Sequence, residues 1–127
     1  MTRLNYVLEL IESILKNLNP RVTVREHRID DDTEYLSVDV IIERDVILRL
    51  REYLRGSDII AYGYYLRIGS YEEWWNNRPH HPEIPTHPHH RHRDGRIEPL
   101  TTPSLREFLT HVKRLIQQKS SSASLNP

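Results

Sequence analysis

Apolar residues near the start of the chain recur every three or four positions. They are Leu4, Val7, Leu8, Ile11, Ile14, Leu15 and Leu18. This spacing puts them on one face of a helix. Thr2 is a suitable N-cap residue, and Pro20 cannot continue a helix. The pattern predicts an amphipathic helix over residues 3–18.

After Arg21 the apolar period changes to two residues, which is typical of β-strands. Four runs show it, over residues 22–29, 36–42, 46–55 and 59–68. The breaks between them contain Asp30-Asp31-Asp32, Arg44-Asp45 and Gly56-Ser57-Asp58, and Gly69-Ser70 follows the last run. The alternation predicts an antiparallel meander, and we expect about four to six strands in the sheet.

The last apolar stripe begins after Ser104-Leu105-Arg106-Glu107, which has the S-x-x-E form of a capping box. Its members are Leu105, Phe108, Leu109, Val112, Leu115 and Ile116. A one-faced sheet and two amphipathic helices must bury each other, so we expect an α+β fold with both helices packed on one face. Residues 1–118 then form one domain, and residues 119–127 are expected to be a disordered tail.

Composition excludes several classes of protein. The 127 residues include 18 basic and 18 acidic side chains and no cysteine. Disulfides, a thiol nucleophile and Cys-based zinc sites are therefore excluded. No apolar stretch is long enough to cross a membrane, and the N-terminus does not resemble a signal peptide. We expect a cytoplasmic protein with no membrane partner.

The neutral total conceals an uneven distribution of charge. Residues 1–43 contain five basic and nine acidic side chains, whereas residues 44–96 contain nine arginines, seven acidic residues and six of the eight histidines. We expect the functional surface in this second region, because its arginines and clustered histidines are consistent with one RNA-facing surface.

A segment rich in histidine and proline, residues 79–92, joins the predicted sheet to the last helix. Its prolines fall at every third residue, which excludes a helix and favours polyproline II. One edge of that conformation would carry His80, Glu83, Thr86, His89 and His92. Another edge would carry His81, Ile84, His87 and His90.

Three interpretations of this segment remain open. Imidazole titrates near neutral pH, so two histidines, or a histidine with Glu83, can act as general acid and base. An RNA substrate supplies its own nucleophile, the 2′-hydroxyl, so no cofactor is expected. Alternatively, His89 and His92, or His80 and Glu83, could chelate a divalent metal. The third interpretation is an exposed loop without chemistry.

The predicted strand 46–55 has an arginine-rich face. Arg49, Arg51, Tyr53 and Arg55 alternate there with apolar residues. Arginine binds phosphate through two parallel hydrogen bonds, and tyrosine can stack on unpaired bases. We therefore predict substrate contacts from Arg49, Arg51, Tyr53, Tyr62, Tyr64, Asn77 and Arg91. A solvated face without function is the alternative.

Two further features stand out beside this face. Glu52 falls on the apolar side of the same strand, where a carboxylate must be paired or functional. It is therefore a candidate catalytic residue. Trp74 and Trp75 are expected to be core aromatics, with Asn76 and Asn77 holding the His/Pro segment through hydrogen bonds.

These motifs together resemble the TumE-like toxins of prokaryotic toxin–antitoxin pairs. The resemblance rests on Arg51-Glu52-Tyr53, on Tyr62-Gly63-Tyr64, and most specifically on the stretch from Trp75 to His92. The chain departs from the family pattern at Trp74, Asn76 and His87. The motif positions carried onto this chain are Arg51, Glu52, Asn77, His80, His81, Glu83, His89, His90 and His92.

The resemblance implies a growth-inhibiting toxin that acts on RNA and is held inactive by a cognate antitoxin. The leading hypothesis is an endoribonuclease that uses His80, His81, His89, His90 and His92 with Glu83 and Glu52 as acid–base candidates. A non-enzymatic module that binds metal or nucleic acid through the His/Pro segment is the alternative, as is a degenerate member kept for binding its partner. The sequence leaves a homodimer open.

Overall fold

The computed structural model describes residues 2–125, and side chains up to residue 119. Helix α1 (Arg3–Leu15) continues into a 3₁₀ turn, Lys16–Leu18, and helix α2 spans Leu105–Leu125. Between them lie β1 (Arg21–Asp30), β2 (Thr33–Ile42), β3 (Val46–Arg55), β4 (Asp58–Ile68), β5 (Tyr71–Asn76), β6 (His90–Arg93) and β7 (Arg96–Pro99). The α+β class is confirmed, but the sheet has seven strands, not four to six.

The seven strands form one antiparallel sheet in chain order, β1-β2-β3-β4-β5-β6-β7. The strands missing from the prediction are β5, β6 and β7. Charged residues such as Glu73 and Arg91 occupy inward positions there and interrupt the apolar alternation. The β6–β7 turn is nevertheless a hairpin signal, because Asp94 and Gly95 both have positive φ, 51° and 72°.

Both helices pack on the same face of the sheet, as expected. Their buried residues and the inward residues of β2 to β5 form a single core cluster. Phe108 lies at its centre, with ring centroids 5.4 Å from Tyr64 and 5.1 Å from Trp75. Strand β1 adds little to this core, since nine of its ten residues are exposed and the other is intermediate.

Acidic side chains of the sheet attach the start of α1. Thr2 is the N-cap, and its hydroxyl accepts a hydrogen bond from the Asn5 amide at 3.1 Å. The Glu34 carboxylate accepts from the amides of Arg3 and Leu4, which the helix leaves free. Arg3 in turn donates two hydrogen bonds to Glu52. These contacts orient α1 across the sheet.

Helix α2 begins as its capping box predicts, with the Ser104 hydroxyl accepting from the Glu107 amide at 3.1 Å. It continues as helical backbone to Leu125, into the segment where the sequence predicts a disordered tail. Ser and Ala extend an established helix at little cost, because nucleation is the expensive step. Residues 126–127 of that tail lie outside the described residues. No helix within residues 2–125 is long and apolar enough to cross a membrane.

The His/Pro segment is not a polyproline II helix, and this prediction was wrong. Residues 78–89 make successive tight turns, with hydrogen bonds from Ile84 N to His81 O, from His87 N to Ile84 O and from His89 N to Thr86 O. Proline suits the second position of a turn as well as polyproline II, because both need φ near −65°. The segment therefore folds back on itself and delivers His90 to β6.

Candidate functional site

The register of the sheet aligns polar residues on the face opposite the helices. One row across four strands consists of Arg51, Gly63, Asn76 and His90. The adjacent row consists of Arg49, Tyr65, Trp74 and His92. Residues directly opposite each other in antiparallel strands project on the same face. Both rows therefore share one surface, with arginines at one side and histidines at the other.

This surface contains an open cleft of about 890 Å³. Its exposed or partly exposed lining consists of Tyr35, Arg49, Arg51, Tyr53, Ala61, Gly63, Tyr65, Glu72, Trp74, Asn76, Asn77, Arg78 and His92. Gly63 lies in the row between Arg51 and Asn76, and a Cβ atom there would meet nothing within 4 Å. The glycine therefore leaves space in the floor of the cleft.

The arginines of the cleft differ in their partners. Arg49 lies 4.0 Å from Asp39, a carboxylate that also approaches Arg25 at 3.6 Å. Arg51 has small residues on both neighbouring strands, Ser37 and Gly63, and no ion pair within the part of the chain that the structure describes. Its guanidinium is thus free to receive an anion in the cleft, and so is that of Arg78, which also lines the cleft without an ion pair among the described residues.

Two aromatic rings form the middle of the cleft. The ring centroids of Tyr65 and Trp74 lie 5.2 Å apart, and the Tyr65 hydroxyl donates to Glu72 at 2.8 Å. Trp74 is 42% exposed, so its prediction as a core residue was wrong, whereas the prediction for Trp75 is confirmed. Successive residues of a strand point to opposite faces, so only one of the pair can reach the core.

Three histidines meet at the β6 end of the cleft. His90 and His92 are two residues apart on the strand and share a face, with 3.1 Å between their Nε2 atoms. The ring of His81 comes from the turn segment and packs edge-on against both, at 5.0 Å from His90 and 5.7 Å from His92 between centroids. We call His81, His90 and His92 the histidine cluster.

Neighbouring groups fix the rings of the cluster. The Nδ1 atom of His90 lies 3.0 Å from the carbonyl oxygen of Pro88, and that of His81 lies 3.3 Å from the Glu83 carboxylate. Burial, together with the nearby rings of His90 and His81, lowers the pKa of His92 below its usual value. The cleft-facing imidazole is therefore held towards its neutral form.

The predicted His/Glu site separates into two groups. His89 lies on the core side, where its Nδ1 is 3.0 Å from the Tyr62 hydroxyl, and burial lowers its pKa. His89 is not part of the histidine cluster, so the structure does not bring the predicted metal pair His89 and His92 together in that group. His80 is exposed, and Glu83 reaches the cluster only through His81.

Two of the predicted base-stacking residues face the helices. Tyr62 is 7% exposed and Tyr64 is 1% exposed. Tyr64 donates its hydroxyl hydrogen to Glu52, and burial raises its pKa. Neither ring offers a free face, so the prediction that they stack on bases is corrected. Tyr53, which belongs to the same prediction, does line the cleft, and so does Tyr65.

The remaining candidates have structural partners. Glu52 is 1% exposed and is hydrogen-bonded to Arg3 and Tyr64. Arg91 lies opposite Trp75 and forms an ion pair with Glu98 at 3.5 Å, although its Nε is buried without a partner. Asn77 does not hold the His/Pro segment. Its side chain accepts from Tyr62 N and donates to Ile60 O, which ties the end of β5 to β4.

The sequence analysis did not predict that several residues line the cleft. They are Tyr35, Gly63, Glu72, Trp74, Asn76 and Arg78. A signal for Trp74 was present. Had β5 been recognised, the two-residue turn at Gly69-Ser70 would have paired Trp74 with Tyr65.

Comparison with known proteins identifies one family. A family model described as "Toxin TumE" matches residues 7–119, which include the cleft and the histidine cluster. Neither a curated protein nor a solved structure matches the chain.

Proposed function

Because the chain belongs to the TumE toxin family, we propose that it inhibits growth by cleaving RNA in the cleft on the open face of its sheet. Membership makes it the toxin component of a toxin–antitoxin pair, whose partner is a cognate antitoxin. The endoribonuclease activity is our proposal. We also propose that the protein acts in the cytoplasm, where its RNA substrate is found.

The observation that carries the proposal is the combination of groups in one cleft. Arg51 offers an unpaired guanidinium for a phosphate, and Trp74 and Tyr65 offer aromatic faces for unpaired bases. Three strand spacings separate the arginine strand from the histidine strand, about 14 Å at the usual spacing. A single RNA strand can span this distance and contact both the arginine end and the histidine end of the cleft.

The cluster supplies two imidazoles for proton transfer. In the proposed step one imidazole removes the proton of the RNA 2′-hydroxyl, whose oxygen attacks the adjacent phosphorus. A bond forms between O2′ and phosphorus, and the bond to O5′ breaks. A second imidazole gives its proton to the leaving O5′. The products are a 2′,3′-cyclic phosphate and a free 5′-hydroxyl.

We propose the two reacting rings from their positions in the cluster. His92 lines the cleft and is therefore the ring that meets the substrate. His81 is the second ring, oriented by Glu83, as a carboxylate orients the histidine in other acid–base sites. His90 is 2% exposed and holds His92 through the 3.1 Å contact, so it is a positioning residue.

The test is incubation of the purified full chain with single-stranded RNA. We expect fragments that end in a cyclic phosphate, and no cleavage of RNA that lacks the 2′-hydroxyl. Loss of a general acid or base slows such reactions by about 10² to 10⁴-fold, which is the loss expected for His92→Ala. His87→Ala is the matched control, because His87 is exposed and outside the cluster.

Expression of the same variants in cells links the activity to toxicity. His92→Ala should permit growth and His87→Ala should not, with equal amounts of folded protein. Intact RNA in the presence of a chain that still arrests growth would contradict the nuclease proposal and favour a non-enzymatic binding module.

A further inference from the structure

The histidine cluster combines features of a metal site that the acid–base proposal does not use. Among the described residues, His81, His90 and His92 can each offer one ring nitrogen, and these three atoms lie within 4.8 Å of one another. His90 and His92 come from alternate positions of β6, so their side chains project on the same face. The strand itself fixes two of the three rings.

We propose that His81, His90 and His92 bind a divalent transition-metal cation of the zinc type through three imidazole nitrogens. This goes beyond RNA cleavage and rests on the geometry of the cluster alone. Imidazole favours Zn²⁺, Co²⁺ and Ni²⁺ over Mg²⁺ and Ca²⁺, which prefer oxygen ligands.

The hydrogen bonds of His90 and His81 identify which ring nitrogen of each can bind a metal. A carbonyl oxygen can only accept, so His90 must carry its hydrogen on Nδ1, which faces Pro88 O. The carboxylate of Glu83 likewise places the hydrogen of His81 on Nδ1. In both rings Nε2 is left as the metal-binding atom. Metal-bound histidines in proteins usually donate the other N–H to a carbonyl or carboxylate in this way.

The distances fit a tetrahedral cation. Zinc–nitrogen bonds of about 2.0–2.1 Å at tetrahedral angles place two ligand nitrogens about 3.3 Å apart. His90 and His92 are already at 3.1 Å. His81 is on a turn, with a side chain 25% exposed, and its ring nitrogen lies within 4.8 Å of the other two. Two rings are therefore preformed, and binding requires the third to move closer to them.

The fourth position of the site is open to the cleft. His92 lines the cleft wall, and three protein ligands with one free position are typical of catalytic zinc sites, whereas structural sites have four. The site would thus present its cation to a ligand next to Trp74 and Asn76. In the metal-bound chain the rings are ligands and cannot transfer protons, so the bound cation should suppress the acid–base cleavage proposed above and a chelator should restore it.

A simple hydrogen bond is the competing explanation for the pair. His92 can donate from Nε2 to the lone pair of His90 Nε2 without any metal. That explanation predicts no stoichiometric metal binding, which makes the two separable by measurement.

The experiment uses the full chain, purified without a histidine tag and freed of metal, titrated with Co²⁺ and then Zn²⁺. We expect one cation per chain, a visible cobalt spectrum of tetrahedral intensity, and loss of that spectrum on Zn²⁺ addition. His92→Ala and His81→Ala should weaken binding at least 100-fold, and Glu83→Ala about 10 to 100-fold as the loss of a partner of the ligand. His80→Ala with His87→Ala is the control from the same segment and should bind normally.

The outcomes separate the two proposals. No stoichiometric binding, or equal weakening in the His80/His87 control, would overturn the metal site whatever the RNA assay shows. Normal metal binding, together with no RNA cleavage by the metal-free chain, would support the site and overturn the nuclease. His90→Ala is not used, because His90 is buried and its loss can unfold the chain.

Discussion

Replacing Glu52 with leucine is expected to destabilise the fold and not to remove a reacting group. The Glu52 carboxylate accepts from Arg3 Nε at 2.6 Å and from Arg3 Nη2 at 3.0 Å, and the Tyr64 hydroxyl donates to it. The pair joins α1 to β3 in the interior. Leucine leaves the guanidinium and the hydroxyl without their acceptor.

The magnitude follows from burial. Removing one partner of a buried ion pair costs about 3–5 kcal/mol, because the other charge stays desolvated. The Arg3 side chain is 22% exposed and can recover some hydration, so Glu52→Leu should cost about 3 kcal/mol. Arg3→Met leaves the fully enclosed carboxylate with the Tyr64 hydroxyl as its remaining partner and should cost more, about 4–5 kcal/mol.

Urea unfolding of the two single variants and of Arg3→Met with Glu52→Leu forms a double-mutant cycle. The double variant should lose much less unfolding free energy than the two single variants lose together, because neither charge remains. An exposed pair provides the control. Arg28 and Glu26 lie 2.8 Å apart on β1 with side chains 69% and 45% exposed, and Glu26→Leu should cost less than about 1 kcal/mol.

Two results would refute this reasoning. Single variants that lose less than about 1 kcal/mol, with no coupling in the cycle, would show that the pair does not hold α1. A Glu52→Gln chain with normal stability but no toxicity would restore the catalytic role that the sequence predicted for Glu52.

Three further predictions concern the buried carboxylate of β5 and the cleft. Burial opposes the charge of Glu73, but hydrogen bonds from His111, Tyr71 and Trp75 lower its pKa from 4.5 to about 2. That lowering stabilises the fold by about 3 kcal/mol above pH 4.5, and the gain disappears as the pH falls to about 2. Acid titration of unfolding should show this loss in wild type and Glu72→Gln but not in Glu73→Gln. Gly63→Phe should fill the cleft and reduce RNA binding at least tenfold with an unchanged circular dichroism spectrum, while Gly63→Ala should bind RNA normally. Equal RNA binding by the two variants would show that the cleft is not the RNA-binding site. Arg51→Ala should make the negative slope of log affinity against log salt concentration shallower by about 0.7, as expected for one lost phosphate contact. Arg28→Ala should leave this slope unchanged.

Much of the architecture could be predicted from local pattern. The two helices and strands β2 to β4 bury one regular stripe each, so the periods of 3.6 and two residues identify them. Strand β1 shows the same period of two in its sequence, although its residues stay exposed or partly exposed. Ser104 and Thr2 also act as the caps that their positions indicate. Strands β5 to β7 could not be recognised, because their inward positions include Glu73 and Arg91, whose charges are satisfied by partners distant in sequence or on a neighbouring strand.

The sequence predicted which types of residue form the candidate site, but not which of these residues lie together. The arginine face of β3 and the importance of histidine in residues 79–92 follow from the sequence. The pairing of His89 with His92 does not survive, because the turns send His89 towards Tyr62 and His92 into the cleft. Proline periodicity alone could not decide between turns and polyproline II, since both satisfy its φ angle.

The sequence by itself determined the fold class, the two helices and the chemical groups available, since these depend on residue type and local period. Tertiary structure decided which groups meet. Register across β3, β4, β5 and β6 puts arginine, aromatic rings and histidine in one row, and the folded turn segment brings His81 onto His90 and His92. Contacts of this kind join residues far apart in the chain, and the geometry of strand pairing sets them, which no local pattern records.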